Sequence, residues 1–200
     1  MTRNALLGLL SLFCLSLTAC GPTAFVNGNY DSNVNRTNLM NDRWSETDMQ
    51  HAVKALVASA LQSPDIADAP RPPIVLVTRL QNKTSEVIDT QSITDMITVE
   101  LQRSGKVQFI DKSAREDMAA EYQYENSGTT SRYSKKNTGH QVGADLIMDG
   151  RIDSITQRVG DRESIYYKIT LNMTNLSKGL IVWTDQKQIR KLFKKHHIGL

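Results

Sequence analysis

The chain has 200 residues, of which 40% are hydrophobic and 22% charged, and its formal net charge at pH 7 is +3. This composition is typical of one ordinary folded domain with appendages, and the near balance of charges argues against a nucleic-acid partner. The chain has two cysteines, Cys14 and Cys20, and both lie close to its start. The rest of the chain therefore has no disulfide framework, and its fold must be stabilised by a hydrophobic core.

The first 20 residues have the pattern of a bacterial export signal. Arg3 supplies a positive charge, and the apolar run from Ala5 to Leu17 is long enough for a signal but too short to span a bilayer. Residues 17–20 resemble the lipobox of bacterial lipoproteins, in which the cysteine thiol takes the lipid. We therefore predict a signal peptide over residues 1–19 and lipidation of Cys20. The alternative is an ordinary signal peptide with a cysteine at that position by chance.

Residues 20–43 are predicted to be a disordered tether, because they are polar, rich in asparagine and without apolar periodicity. The tether would reach on the order of 80 Å fully extended and about 30 Å as a flexible coil. Gly21 stands where an aspartate would retain a lipoprotein in the inner membrane in the enterobacterial pattern. The sequence thus predicts a lipid-anchored protein of the outer membrane that faces the periplasm.

A helix is predicted after Trp44. Ser45 is a good N-cap, and apolar residues recur at helical spacing as far as Leu61. Pro64 and the proline-rich segment at 69–73 are expected to end the helix.

A βαβ unit is predicted next. The near-continuous apolar run at 74–80 is typical of a central strand buried on both faces. It is followed by a polar loop at 81–89 and a second helix that is expected to end at Gly105. Residues 107–110 then form a short strand, which we expect to pair in parallel with the first.

Two further helices are predicted before residue 143, after which the apolar residues recur at every second position, as in a strand. Ser113 and Glu116 have the spacing of a capping box, which predicts a third helix. Its inward residues are expected to be Met118, Ala119 and Tyr122. A weaker helix is predicted over residues 131–141, although Gly139 disfavours it.

The last part of the chain is predicted to be an antiparallel meander of strands at 144–155, 165–174 and 180–189, because apolar and polar residues alternate there. The fold class is therefore α/β. We expect a single α/β sandwich over residues 44–192, in which helices pack on a mixed five-stranded sheet built from the parallel βαβ unit and the antiparallel meander.

Residues 193–200 are predicted to be a basic C-terminal tail. The basic run follows the last predicted strand and contains Arg190, Lys191, Lys194 and Lys195, followed by His196 and His197. We expect it to be solvated, and contact with anionic lipid or glycan is the alternative.

No constellation that could support catalysis is found in the sequence. It has no G-x-S-x-G elbow, no S-x-x-K motif, and no H-E-x-x-H or Cys/His cluster for zinc. His51 and His140 are isolated, and the pair Glu116 and Asp117 is more typical of a helix cap than of a glycosidase. The sequence therefore predicts no enzyme, no metal site and no cofactor, and it favours a binding or activating module.

Several stretches resemble the LpoB-like lipoproteins, which are outer-membrane activators of penicillin-binding proteins. The matching stretches are 74–77 with the loop 82–84, 101–110, 142–147, and 171–173 with 179–183. The order and spacing of these stretches carry the resemblance. It implies a domain similar to the TolB N-terminal domain.

The resemblance also implies a function. Members dock on a small non-catalytic domain of a class A penicillin-binding protein and stimulate peptidoglycan synthesis allosterically, which requires only a higher affinity for the active conformation. The lipid would confine the domain near its partner. The chain is expected to be monomeric. The partner-binding residues that we expect are Asn82, Lys83, Thr84, Arg132 and Tyr133.

Two other functions stay open at this point. A structural lipoprotein of an outer-membrane assembly or secretion complex is the main alternative, and an envelope hydrolase is disfavoured because it would need a catalytic constellation. Two roles are also open for Trp183, which could pack on the sheet or form part of an interface.

Overall fold

The fold was obtained as a computed structural model, which describes residues 33–39, 41–136 and 139–194. The predicted signal peptide, Cys20, the first part of the tether and residues 195–200 lie outside the described residues. By its internal contacts the chain divides into a unit of residues 1–34 and a unit of residues 35–200, and every element named below lies in the second. Within the described ranges, no helix has the length and apolar character needed to cross a membrane.

The first helix begins where the sequence predicts. Helix α1 spans Glu46–Ala60 and has Ser45 as its N-cap. Asp48 N–H donates to the Ser45 hydroxyl, and the Asp48 carboxylate accepts the Ser45 N–H at 2.9 Å, so two backbone N–H groups at the helix start are satisfied. A short helix, α2, follows at Pro64–Ala67 and was not predicted.

Among the described residues the sheet has six strands instead of the predicted five. They are β1 at Ile74–Val77, β2 at Gln81–Asn82, β3 at Gln108–Phe109, β4 at Leu146–Val159, β5 at Arg162–Asn175 and β6 at Leu180–Lys194. Five of them follow the order β3-β1-β4-β5-β6, and β2 pairs with β4. The sequence predicts only a polar loop at 81–89, because the two residues of β2 carry no hydrophobic signal, and the structure shows that both are exposed.

The parallel unit is confirmed. Strands β1 and β3 pair in parallel, and helix α3 at Thr90–Arg103 connects them through Gly105, whose φ is +68°. Strand β1 lies between β3 and β4, which is the central position expected from its apolar run. Asp145 holds the starts of β1 and β4 together, since its carboxylate accepts the Ile74 N–H at 2.9 Å and an Arg71 N–H at 2.9 Å.

The antiparallel meander is also confirmed, with longer strands than predicted. Strands β4, β5 and β6 pair antiparallel in sequence, and alternate residues of β5 are buried. Helix α1 packs on β6 and on α3, so the core lies on one face of the sheet. The buried hydrophobic residues of β5 are Ile165, Tyr167, Ile169, Leu171 and Met173, and Glu163 at the start of the strand is buried as well.

Two helix predictions are corrected. Helix α4 spans Arg115–Asn126, but none of its residues is buried, and Ala114 is its N-cap. The Ser113 hydroxyl donates to Asp111 at 2.5 Å and makes no capping box with Glu116. The weaker helix at 131–141 is wrong for the part of it that is described: residues 132–134 form a turn, and Gly139 has a φ of +92°, which a right-handed helix cannot contain.

The predicted basic tail is partly incorporated into the sheet. Strand β6 runs to Lys194, so two residues of the predicted tail belong to it. Lys191 was expected to be solvated, but its side chain is 3% exposed and lies 2.9 Å from Asp48. A lysine can be buried here because the carboxylate of α1 compensates its charge. Trp183 packs against the core and its indole N–H donates to the Ser59 hydroxyl at 3.3 Å, which supports the packing role.

Candidate docking surface

The first predicted site starts at Asn82, the last residue of β2, and continues into the loop after it, and two of its three residues shape the backbone. The Asn82 side-chain oxygen accepts the Thr84 N–H at 2.9 Å and the Thr84 hydroxyl at 2.7 Å. The Asn82 amide also donates to the Glu86 carbonyl at 2.8 Å. These bonds close a local turn of the kind that asparagine and threonine favour. We name residues 82–88 the docking loop.

The docking loop is tied to the sheet on one side through its backbone. Lys83 N–H donates to the Ile152 carbonyl of β4 at 2.8 Å, which continues the β2–β4 pairing by one residue. The Lys83 side chain carries its charge into solvent, because the residue is exposed. Of the three residues predicted here, Lys83 is therefore the one whose charged group is free to make contacts outside the domain.

A half-buried carboxylate, that of Glu86, holds the docking loop against the domain. Glu86 accepts the Trp44 N–H at 3.0 Å with one oxygen and the Tyr167 hydroxyl with the other. The Trp44 and Tyr167 rings form an edge-to-face pair with centroids 5.4 Å apart. Burial, and then the neighbouring Glu86 carboxylate, raise the pKa of Tyr167 above its ordinary value of 10.0. Tyr167 thus stays protonated and donates to Glu86 across the physiological range.

This arrangement leaves the side chain of Val87 exposed to solvent, which the sequence analysis does not predict. Its side chain is 106% exposed, while the next residue, Ile88, is 8% exposed and belongs to the core. A single valine beside a buried isoleucine has no periodicity that would distinguish it in the sequence. Only the fixed position of Glu86 and Ile88 shows that Val87 must point outward.

The second predicted site, Arg132 and Tyr133, lies in the turn after α4. Both residues are exposed, and Tyr133 is 102% exposed in the turn after α4. The segment is connected to α4, since Lys136 N–H donates to Glu125 at 2.6 Å. Between the docking loop and this turn, the described residues form no hydrogen bond or ion pair. The structure therefore gives two exposed patches and does not join the five predicted residues into one.

A polar groove lies at the carboxyl ends of β1 and β3, the edge of a parallel sheet at which ligands commonly bind. It has a volume of about 620 Å³, and its charged lining residues are Arg79, Asp95, Asp111 and Lys112. A hydrogen bond from the Ser113 hydroxyl, and then the Ala114 N–H, lower the pKa of Asp111. In residues 33–39, 41–136 and 139–194, no three histidine, cysteine or carboxylate residues are grouped as a metal site would require.

Comparisons with known proteins place the fold in a family. The profile described as peptidoglycan-synthase activator LpoB matches residues 48–189. Among solved structures, the LpoB C-terminal domain from Salmonella enterica is 15% identical with a TM-score of 0.45, and that from Escherichia coli is 13% identical with a TM-score of 0.42. Each comparison covers 71% of this chain and 98% of the other. The NMR structure of E. coli LpoB is 11% identical with a TM-score of 0.43, over 90% of this chain and 86% of that one.

Among curated proteins, none matches the sequence. The profile match runs from the first turn of α1 into β6, so it includes most of α1, all of α3, strands β1 to β5, most of β6 and the docking loop. The resemblance seen in the sequence is therefore confirmed over more than half of the chain. The chain belongs to the LpoB family of peptidoglycan-synthase activators.

Proposed function

We propose that this protein is an outer-membrane lipoprotein that binds a non-catalytic docking domain of a class A penicillin-binding protein and activates the synthase allosterically. The match to the activator family over residues 48–189 carries the proposal. The lipobox pattern that ends at Cys20 supports the membrane anchor. The function needs no catalytic group on this chain, because binding the active conformation of the synthase more tightly is sufficient to shift its equilibrium.

The docking loop is the surface that we assign to the synthase. Its backbone is fixed at both ends, by the Lys83 N–H on β4 and by the Glu86 carboxylate on Trp44 and Tyr167. A loop that is already ordered loses little conformational entropy when it binds, so more of the contact energy appears as affinity. We assign contact roles to Lys83 and Val87 and positioning roles to Asn82, Thr84 and Glu86.

The test uses the full lipoprotein, solubilised from membranes, and the class A penicillin-binding proteins of the same cell. We expect capture of one synthase and faster glycan polymerisation when the lipoprotein is added. Absence of both binding and stimulation with every class A synthase would contradict the proposed function.

Variants then test the loop. Val87→Asp and Lys83→Glu should weaken capture about tenfold or more, which corresponds to about 1.4 kcal/mol. The matched control is Val159→Asp, because Val159 is 79% exposed at the far end of β4. If both loop variants bind like the wild type, the assignment moves to the second patch, for which Tyr133→Ala is the corresponding test.

A further inference from the structure

Strand β6 presents a long free edge. It is the last strand on the path β3-β1-β4-β5-β6, it has 15 residues, and none of the described strands pairs with its outer side. The opposite edge strand, β3, has only two residues. A long edge exposes a row of backbone N–H and C=O groups that can pair with another strand.

The side chains of β6 alternate regularly between the two faces of the sheet. Residues 183, 185, 187 and 189 are half-buried on the face that carries the helices, and residues 184, 186 and 188 are exposed on the other face. The inner series reads Trp, Asp, Lys, Ile. This series is self-complementary about Gln186.

Two β6 strands that pair antiparallel with Gln186 opposite Gln186 bring matching side chains together. Trp183 of each copy lies opposite Ile189 of the other, and Asp185 lies opposite Lys187, so each pair occurs twice. On the outer face, Thr184 lies opposite Gln188. Aromatic pairs with branched aliphatic residues, and pairs of opposite charge, are favourable in directly opposed positions.

The charged side chains on this edge have no countercharge within the described part of one copy, although the Asp185 carboxylate accepts the N–H of Gln186 at 2.7 Å, a bond that opens when the two strands pair. Asp185 and Lys187 are half-buried, yet neither forms an ion pair with any of the residues that the structure describes. A lysine on an edge strand commonly prevents pairing with other strands. Here Asp185 of one copy lies opposite Lys187 of the second copy and supplies the opposite charge.

We propose that the protein forms a two-fold symmetric dimer through antiparallel pairing of two β6 strands about Gln186. The two sheets then form one continuous sheet, with the helices of both copies on the same face. The occupant of this edge is a second copy of the chain, because the side-chain pattern is complementary to itself. The dimer is independent of the proposed docking loop, and it replaces the monomer that we expected from the sequence.

Cysteine cross-linking in the bacterial envelope tests the register. In the proposed dimer the two copies of residue 186 are directly opposed, with Cα atoms about 4.5–5.5 Å apart, which a disulfide can bridge. We expect Gln186→Cys to give a cross-linked dimer when membranes are oxidised. Thr184→Cys is the matched control, since its two copies are four residues apart along the strands, about 14 Å. The double variant T184C/Q188C should cross-link again, and the wild-type chain controls for Cys14 and Cys20.

Charge exchange tests the same interface without a cross-link. Asp185→Lys and Lys187→Asp each place like charges opposite one another twice, and each should raise the dimer dissociation constant about tenfold in sedimentation experiments on the solubilised lipoprotein. The double variant D185K/K187D restores opposite charges and should restore the dimer, which a general loss of folding would not do.

Either of two results would overturn the proposal. The first is the absence of a Gln186→Cys dimer, or a Thr184→Cys dimer of equal yield. The second is a Gln186→Cys adduct that forms only with the synthase, because a strand of another protein would then be the occupant of the edge.

Discussion

The ammonium group of Lys191 lies 2.9 Å from the carboxylate of Asp48, and the two side chains are 3% and 5% exposed. This ion pair joins the last strand to the first turn of α1. Lys191 also donates to the Arg43 carbonyl, and Asp48 also accepts the Ser45 hydroxyl at 2.8 Å. The segment that leads into α1 is therefore held by β6 at Arg43.

Replacing Lys191 should destabilise the protein strongly. Lys191→Met leaves the Asp48 carboxylate buried without its countercharge, and we expect the free energy of unfolding to fall by about 3–5 kcal/mol in urea denaturation. Arg190→Met is the control, because Arg190 is the neighbouring residue on the exposed face and its loss should change little. The double variant D48N/K191M should regain part of the loss. A single variant as stable as the control would show that the ion pair contributes nothing.

The sequence predicts the apolar parts of the fold well, since burial leaves a periodic pattern. The alternating residues of β5 and the capped start of α1 were predicted at nearly the correct positions. Strand β2 was missed because backbone pairing with Arg151 and Ile152 leaves no side-chain signal. Lys191 was misplaced for a related reason: nothing within the basic run indicates that Asp48, 143 residues earlier, lies beside it.

In the candidate site too, the sequence predicts the local features and misses the contacts between residues that are far apart in the chain. Asn82 and Thr84 were singled out by their sequence, and the structure gives them a local turn. The residues that hold the docking loop, Glu86 and Tyr167, are 81 positions apart, so no local pattern connects them. Val87 is exposed only because of where its neighbours are held.

Gly150 is predicted to be intolerant of any side chain. A Cβ atom at this position of β4 would lie 2.3 Å from the Thr170 carbonyl oxygen and 2.7 Å from a Leu171 methyl group. The carbonyl belongs to the paired strand and cannot move without breaking the β4–β5 ladder. We expect Gly150→Ala to lower the free energy of unfolding by about 3 kcal/mol, the upper end of the usual cost of overpacking. Gly143→Ala is the control, because a Cβ there meets nothing within 4 Å, and equal stability of the two variants would contradict the prediction.

Asp145 should contribute a pH-dependent part of the stability. The Ile74 N–H, and with it Arg71, lowers the pKa of this carboxyl below 3.8. A lowered pKa in the folded state means that the contribution is fully present above the ordinary pKa and is lost as the pH falls through the lowered one. Asp145→Asn should therefore cost about 1 kcal/mol at pH 7, since the pair is partly exposed, and progressively less below about pH 4. Urea titrations of both proteins from pH 7 to pH 2.5 measure this difference, and Asp68→Asn, at an exposed carboxyl, is the control. A cost that persists unchanged at the lowest pH would mean that the carboxylate charge is not involved.

Tyr167→Phe should loosen the docking loop more than it destabilises the domain. The substitution keeps the buried ring and its contact with Trp44 but removes the hydroxyl that donates to Glu86, so the carboxylate retains only the Trp44 N–H. We expect a loss of about 1–2 kcal/mol in unfolding free energy, together with faster amide hydrogen exchange confined to residues 83–88. Tyr166→Phe is the matched control, because Tyr166 is adjacent on β5 and faces the opposite side of the sheet.

If the docking loop binds the synthase in the conformation held by Glu86, Y167F should also weaken capture although residue 167 is 1% exposed and cannot touch a partner. If hydrogen exchange becomes faster but capture of the synthase does not change, then Glu86 orders the docking loop and the synthase binds elsewhere.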